Sequence, residues 1–305
     1  MTVASVAALE TRGISVSFGG VRALHEVDIV VAPGEIVGII GPNGAGKTTL
    51  FDAISGINDA TGTVLLNGRD LSRSSVHARA RAGLGRSFQD ARLFHTMSVL
   101  DTLKASYERH VGSGAGIFST LLGLGSSQRA EAASRDAAHE VVAEFGLEAY
   151  ADKLIGELST GTRRVVDLAG LVIARPQIIL LDEPSSGIAQ REAEALDPLL
   201  RRIREDLACA LVIIEHDMPL LLGLAERMYA LETGEVVAVG HPQEVIRDER
   251  VVQSYLGTDA SALARSGVRT DTRTGPIRPR SRTSPKAPVQ PRRAGQHQNS
   301  GPKAR

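Results

Sequence analysis

Aromatic residues, cysteine and long apolar runs are all scarce in this sequence. Phe, Tyr and Trp make up 3% of the 305 residues, and Trp is absent. The longest apolar run, Leu207–Ile214, is far shorter than the roughly 18 residues that a helix needs to cross a bilayer, so we expect no membrane span. The only cysteine, Cys209, lies inside that run, which predicts a small core side chain and not a nucleophile. Met1–Leu9 has no basic residue ahead of its apolar part, which argues against a signal peptide and for a cytosolic location.

Charge is balanced overall but unevenly spread along the chain. The sequence has 35 Lys and Arg and 35 Asp and Glu, yet residues 258–305 hold 11 Lys and Arg against 2 Asp, a net charge of +9. Residues 1–257 therefore carry a net charge of −9. Residues 258–305 are rich in Arg, Pro, Ser, Thr and Gly, so they cannot bury enough apolar surface to fold. The composition predicts a folded region that ends at residue 257, followed by a disordered basic tail, residues 258–305.

The segment Gly41–Thr48 has the residue spacing of a phosphate-binding P-loop. Apolar residues predict a buried strand at Glu35–Ile40 and a helix at Thr48–Ile54, so the loop lies between a strand and a helix, as a P-loop must. Its glycines let consecutive N–H groups converge on an anion, and the helix N-terminus adds partial positive charge. Lys47 can then reach the β- and γ-phosphates, while the Thr48 hydroxyl is placed to ligate Mg²⁺.

Antiparallel strands are predicted at both ends of the folded region. Thr11–Phe18 and Leu24–Val31, separated by two glycines, predict a hairpin ahead of the P-loop strand, and Gly62–Asn67 predicts a third strand in the same small sheet. Met228–Leu231 and Glu235–Val239 predict a second hairpin around a Thr-Gly turn.

Helical periodicity dominates the middle of the chain. Apolar residues recur at helical spacing in Val99–Arg109 and Gln128–Phe145, which predicts a helical subdomain. A basic, Ala-rich stretch, His77–Arg86, is also predicted to be helical, as are Val165–Ala174 and a closing helix, Pro242–Tyr255.

Two apolar strands end in polar residues that suit phosphate chemistry. Ile178–Leu181 runs into Asp182 and Glu183, and buried parallel strands deliver their C-terminal residues to the ligand crevice. With a P-loop upstream, Asp182 is predicted to hold Mg²⁺ through water, and Glu183 to orient or deprotonate the attacking water. A second such strand, Ala210–Ile214, is followed by His216.

Three residues carry weaker signals when each is taken alone. Phe18 ends a predicted strand, where it either stacks on an adenine ring or is an ordinary core residue. Gln89 by itself is typical of a surface amide. A lone histidine is usually structural, but the position of His216 at the end of a parallel strand predicts contact with a γ-phosphate.

Read in chain order, these motifs resemble the ATP-binding subunit of an ABC transporter. The matching residues are Phe18, the P-loop, Gln89, Leu158–Arg164, Ile178–Pro184 and His216. The resemblance covers about residues 9–257. It implies an α/β fold with a RecA-like P-loop NTPase core, a small antiparallel β subdomain and a helical subdomain at about residues 90–175.

The resemblance also implies roles for individual residues. The implied ATP-binding residues are Phe18, Gly41, Pro42, Asn43, Gly44, Ala45, Gly46, Lys47, Thr48 and Thr49. The implied Mg²⁺ ligands are Thr48, Gln89 and Asp182, and the implied catalytic residues are Glu183, His216 and Gln89, which also senses the permease. Ser159 and Gly161 are implied to bind the ATP of a partner cassette in trans, so that turnover needs two cassettes, identical or different.

Two departures from the family pattern concern contacts between cassettes. The signature usually reads Leu-Ser-Gly-Gly-Gln, whereas Thr160 and Thr162 replace its first Gly and its Gln here. Ser159 and Gly161, which carry the phosphate contacts, are retained. Ala189 stands where an Asp or Asn usually follows Pro184, which affects coupling across the dimer and not ATP binding.

Several shorter segments narrow the resemblance to importers of branched-chain amino acids. These segments are Ser87–Phe94, Gly116–Ser119, Ile214–Met218 and Ser254–Gly257. The second of them, an insertion, favours the larger of the two ATPase subunits of such importers. Urea uptake and lipopolysaccharide or lipid export systems share much of this pattern and stay open as alternatives. A non-transport ABC ATPase usually has two cassettes in one chain or a long coiled-coil insertion, and this sequence has neither.

The partners implied are membrane permease subunits and, through them, a solute-binding protein, with the cassette peripheral on the inner face of the membrane. Docking on the permease is expected near Gln89–Leu100 and the helical subdomain. The basic tail is either a solvated extension without a role or a segment that holds the cassette against anionic lipid. No nucleic-acid partner is expected, because the tail has no aromatic residues to stack on bases.

Overall fold

The computed structural model describes residues 6–88, 93–111, 125–188 and 195–256. The strands are β1 (Leu9–Phe18), β2 (Val21–Val31), β3 (Ile36–Ile40), β4 (Thr61–Leu66), β5 (Arg69–Asp70), β6 (Leu84–Arg86), β7 (Ile178–Asp182), β8 (Ala210–Ile214), β9 (Arg227–Glu232) and β10 (Glu235–Gly240). The helices are α1 (Lys47–Ser55), α2 (Val76–Arg81), α3 (Val99–Val111), α4 (Gly125–Glu144), α5 (Thr160–Val172), α6 (Leu196–Leu207), α7 (Met218–Leu224), α8 (Pro242–Val245) and α9 (Glu249–Leu256).

The predicted N-terminal strands form a four-stranded antiparallel sheet with the order β2-β1-β4-β5. β1 pairs with β2 across the Gly-Gly turn, so that Phe18 lies opposite Val21, and β1 pairs with β4 on its other edge. Buried and exposed residues alternate along most of β1, because one face of the sheet packs on the core and the other faces solvent. The predicted hairpin and third strand are confirmed.

The second sheet has six strands in the order β10-β9-β3-β8-β7-β6. The four pairings from β9 to β6 are parallel, whereas β10 pairs antiparallel with β9 in the predicted second hairpin. Every residue of β3, β7 and β8 is buried. These strands are continuous apolar runs because structure covers both faces of the sheet: α1 and the antiparallel sheet on one, and α5 to α9 on the other.

The middle of the chain forms a separate helical core. Apolar side chains of α3, α4 and α5 pack together there, including Leu103, Val142 and Val166. The fold is therefore a RecA-like P-loop NTPase core with a small antiparallel β subdomain and a helical subdomain. Within the described ranges, every helix is too short or too polar to span a bilayer.

The structure corrects two of the predicted helices. The stretch His77–Arg86 is helical only as far as Arg81, because Gly83 at φ +100° ends it and Leu84–Arg86 forms the edge strand β6 beside β7. The predicted helix Pro242–Tyr255 is two helices. They separate at Asp248, whose carboxylate accepts a hydrogen bond from the backbone N–H of Arg250 (2.9 Å) and so starts α9.

Several predicted features lie outside the described residues. They are Gln89, the Gly116–Ser119 insertion, Ala189 and the basic tail, residues 258–305. Predictions about them stay predictions.

Candidate active site

The predicted P-loop connects β3 to α1, and Lys47 lies folded into it. The Lys47 Nζ atom donates hydrogen bonds to the carbonyl oxygens of Gly41 (2.7 Å) and Pro42 (3.1 Å), and the side chain is buried. Burial lowers the pKa of Lys47, while the charges of Glu183 and Asp182 oppose that shift. The ammonium group is thus held where a phosphate bound by the loop can replace its carbonyl partners.

Distant parts of the chain hold the P-loop in place. The Gly41 N–H donates to the Tyr255 Oη atom of α9 (2.7 Å), and the Gly234 N–H donates to the Ala45 carbonyl (3.0 Å). Burial raises the pKa of Tyr255 to about 12, so the hydroxyl stays neutral. A Cβ atom on Gly41 would lie 2.2 Å from the Leu231 carbonyl oxygen. No local sequence pattern marks Tyr255 as a support of the loop.

Asp182 lies at the end of β7 and is 1% exposed. Burial raises the pKa of Asp182, and the opposing causes include the Arg86 charge and a hydrogen bond from the Thr48 side chain. The Arg86 Nη2 atom is 3.8 Å from Asp182 Oδ2, and its Nη1 atom is 2.6 Å from Asp52 Oδ1 on α1. The guanidinium also lies 4.8 Å from the centre of the Phe88 ring. Arg86 therefore links the predicted Mg²⁺ carboxylate to the P-loop helix, a role with no signal in the sequence pattern.

Glu183 and His216 meet at the ends of two adjacent parallel strands. Glu183 Oε1 is 3.0 Å from His216 Nε2, and both side chains are partly exposed. Glu183 has a left-handed backbone conformation (φ +49°), and its N–H donates to the Ile214 carbonyl (2.9 Å). The parallel pairing of β7 with β8 brings these residues together.

The predicted signature residues lie at the start of α5. The Ser159 Oγ atom accepts a hydrogen bond from the Thr162 N–H (3.1 Å) and lies 2.9 Å from Thr162 Oγ1, so Ser159 caps the helix. One turn later, buried Arg164 donates to the carbonyl oxygens of Phe88 (2.7 Å) and Glu183 (3.3 Å). The signature helix is thus bonded to the segment before Gln89 and to Glu183, a link that no local sequence pattern indicates.

Phe18 is exposed at the end of β1. Half of its surface is accessible (50%), and its cross-strand partner Val21 is 70% accessible. The alternative that Phe18 is an ordinary core residue is therefore wrong. Its stacking on adenine stays a prediction. Cys209 is buried, which confirms its core position, and burial raises the pKa of its thiol to about 11.

Asp167, one turn along α5 from Arg164, provides a test of the electrostatics around the site. Its Oδ2 atom is buried without a hydrogen-bond partner among the described residues. Burial raises the pKa of Asp167 from 3.8 to about 6, and Arg164 opposes the shift. Because the folded pKa is the higher one, the stability contributed by protonated Asp167 is complete below pH 3.8 and is lost as the pH rises through about 6.

We therefore expect the substitution Asp167→Asn to stabilise the protein at neutral pH only. One pKa unit corresponds to about 1.4 kcal/mol, so the free energy of unfolding should rise by about 1–3 kcal/mol at pH 8. The gain should shrink below pH 6 and vanish near pH 4. Urea unfolding of both proteins across this pH range measures the effect. Equal stabilisation at pH 4 and pH 8 would contradict the assignment.

Comparison with known proteins identifies the family of this fold. Residues 24–186 match the sequence model of the family described as ABC transporter. The chain belongs to the ABC transporter family. This ABC protein is 35% identical over 250 residues to the high-affinity branched-chain amino acid transport ATP-binding protein LivG of Escherichia coli K12, covering 82% of this chain and 97% of LivG. It is also 35% identical over 256 residues to the lipopolysaccharide export system ATP-binding protein LptB of the same strain, covering 83% and 99%.

Solved structures agree with this assignment. A nucleotide-free ATP-binding cassette of an ABC transporter superimposes with a TM-score of 0.70 at 27% identity, over 82% of this chain and 98% of that one. The ADP conformation of an ATP-binding cassette gives a TM-score of 0.69 at 26% identity, over 82% and 99%. The ABC protein is thus the nucleotide-binding, ATP-hydrolysing subunit of a transporter.

Proposed function

We propose that this ATPase powers the uptake of branched-chain or other amino acids. The observation that carries the proposal is the similarity to LivG across 97% of its length, together with 32% identity over 252 residues to the corresponding transport protein BraF of Pseudomonas aeruginosa. The equal identity to LptB favours a second candidate, lipid export. Either substrate would be recognised by other subunits.

In the proposed mechanism, the P-loop holds the phosphates of ATP and Phe18 stacks on adenine. Lys47 moves from the loop carbonyls to the β- and γ-phosphates. Glu183 accepts a proton from the attacking water through a carboxylate oxygen, while His216 contacts the γ-phosphate. The 3.0 Å contact between Glu183 and His216 supports this assignment, because it places both side chains beside the same substrate group.

Mg²⁺ fits the residues near Asp182. The Asp182 Oδ1 atom is buried without a hydrogen-bond partner in the part of the chain that the structure describes, and the Thr48 side chain lies beside the carboxylate. Thr48, Gln89 and, through water, Asp182 would hold the ion. When bound, Mg²⁺ supplies positive charge that stabilises the transferring phosphoryl group.

Turnover requires a second cassette in this proposal. Ser159 and Gly161 lie on the helical side of the fold and would bind the partner cassette's ATP. Ala189 stands where the family has a carboxylate or amide in the loop after Pro184. Within the chain, Arg164 connects the signature helix to the Glu183 carbonyl (3.3 Å).

An exposed apolar surface supports docking on a permease at the inner face of the membrane. Phe94 is 71% exposed and Leu154 is 43% exposed. Their segments are joined by backbone hydrogen bonds, from the Ile155 N–H to the Met97 carbonyl (2.9 Å) and from the Gly156 N–H to the His95 carbonyl (3.1 Å). A rigid surface with protruding apolar side chains is typical of a protein interface. Phe94 lies within Gln89–Leu100, the segment near which docking is predicted.

Purification of the intact complex from membranes, followed by leucine uptake into proteoliposomes, tests this proposal. We expect a permease and a solute-binding protein to copurify, and ATP to drive leucine uptake. The variant Phe94→Ser should reduce permease recovery and uptake by roughly tenfold, because it removes a central apolar contact. The control variant Val239→Ser alters a different exposed apolar residue (53% accessible). It should change neither permease recovery nor uptake. Recovery of a lipid export partner would overturn the assignment in favour of the second candidate.

A further inference from the structure

A buried glutamate lies between the two loops that carry the proposed catalytic residues. Glu215 follows β8 directly and is 2% exposed. Its Oε1 atom accepts a hydrogen bond from the Ser185 N–H (2.7 Å), and its Oε2 atom accepts from the N–H groups of His216 (2.9 Å) and Asp217 (3.3 Å). One carboxylate therefore joins the loop after β7 to the loop after β8.

The residues on either side of this link are Glu183 and His216. Glu183 is two positions before Ser185, and its Oε1 atom is 3.0 Å from His216 Nε2. We infer that Glu215 is a positioning residue for ATP hydrolysis, which fixes the distance between Glu183 and His216 by binding the backbone of both loops. The inference rests on the catalytic roles proposed for those two residues. Glu215 acts through them and does not itself contact the nucleotide.

The backbone conformation of Glu183 gives a reason for this support. A left-handed conformation is costly for any residue other than glycine, so it persists only where the surroundings enforce it. The Glu183 N–H is held by Ile214 on β8, and the Ser185 N–H by Glu215 at the end of the same strand. Both restraints tie the turn after β7 to its neighbour.

The hydrogen bonds at position 215 require a carboxylate side chain. Three N–H groups converge on Glu215, and an ionised carboxylate accepts through both oxygens. Glutamine has the same shape but only one accepting oxygen, and its NH₂ group would face an N–H donor. No ion pair of Glu215 with Lys or Arg occurs within residues 6–88, 93–111, 125–188 and 195–256, so these backbone bonds are its main compensation there.

The variant Glu215→Gln tests the inference in the full-length protein. We expect kcat for ATP hydrolysis to fall roughly tenfold to hundredfold, because hydrogen bonds to a charged group are lost. KM for ATP should stay within about twofold, since uniform binding through the P-loop is unchanged. Glu215→Asp, which keeps both accepting oxygens, should recover part of kcat. Glu235→Gln is the matched control, because it makes the same change at an exposed glutamate that pairs with His25 (2.7 Å), and its kcat should stay unchanged.

A double-mutant cycle with Glu183→Gln separates positioning from general destabilisation. If Glu215 acts through Glu183, adding Glu215→Gln to the Glu183→Gln variant should cause little further loss of the residual hydrolysis. An unchanged kcat in Glu215→Gln, or the same fold-loss in both backgrounds, would overturn the inference. Failure of Glu183→Gln alone to reduce hydrolysis would instead overturn the proposed role of Glu183. Thermal unfolding of each variant verifies that it is folded.

Discussion

The variant Glu183→Gln should bind ATP as tightly as the original protein and hydrolyse it 10² to 10⁴ times more slowly, the range typical of a lost general base. Glutamine keeps the size of the side chain and a hydrogen-bonding oxygen near His216, but it cannot accept a proton from water. The P-loop, including Lys47, is not altered by the change. Because bound ATP then persists, the variant should accumulate as an ATP-bound dimer.

Three measurements test this result. Steady-state turnover reports hydrolysis, equilibrium binding of a fluorescent ATP analogue reports ATP affinity, and light scattering after size exclusion reports the dimer. Glu235→Gln is a matched control, since Glu235 forms an exposed pair with His25 (2.7 Å) on the surface of the molecule. Its turnover should stay unchanged. Normal turnover in Glu183→Gln would remove Glu183 from its catalytic role.

The variant Gly41→Ala should lose ATP binding by roughly a hundredfold or more. The added Cβ atom would lie 2.2 Å from the Leu231 carbonyl oxygen and 3.0 Å from the Ala45 Cβ atom, at a φ of +154°. The first of these contacts is with backbone of β9 inside the sheet, so the P-loop must move. A displacement of about 1 Å is enough to cost two orders of magnitude where phosphate contacts depend on alignment. Overpacking should also lower the free energy of unfolding by about 1–3 kcal/mol.

Gly13→Ala separates backbone strain from displacement of the P-loop. Gly13 also has a left-handed conformation (φ +60°), but nothing lies within 4 Å of its added Cβ atom. Its substitution should cost about 1 kcal/mol of stability and leave ATP affinity unchanged. Isothermal titration with ATP and urea unfolding give both quantities. Comparable loss of affinity in the two variants would show that strain alone, and not the contact with Leu231, accounts for the effect.

Local patterns are sufficient to predict most of the secondary structure and to single out the candidate site residues. The P-loop was predicted because its spacing depends on neighbouring residues only. Asp182 and Glu183 were predicted because a buried apolar strand presents the residues that follow it. The N-terminal hairpin was likewise predicted from two alternating segments and a Gly-Gly turn. In each case the information lies within about twenty residues of sequence, where periodicity and turn chemistry act.

Both errors in the predicted helices arise because helical periodicity does not show which hydrogen-bond partners a segment has. Leu84–Arg86 has no strand periodicity of its own, and its conformation depends on pairing with β7, almost a hundred residues later. The break at Asp248 depends on one side chain bonding to the backbone two residues ahead, within a stretch whose helical periodicity continues across the break. Periodicity reports which face of a segment is buried, but it does not report which partner is available.

What the sequence determined by itself is the chemistry of the site: a phosphate loop, two acids and a histidine in an order that specifies an ATPase. The tertiary structure decided how these groups are supported. Tyr255, on the last described helix, accepts a hydrogen bond from the first P-loop glycine. Glu215 joins the loops of Glu183 and His216. Arg164 donates to the backbone carbonyls of Phe88 and Glu183. These contacts join residues up to 214 positions apart. They depend on the packing of sheets and helices against one another, which no local pattern of residues encodes.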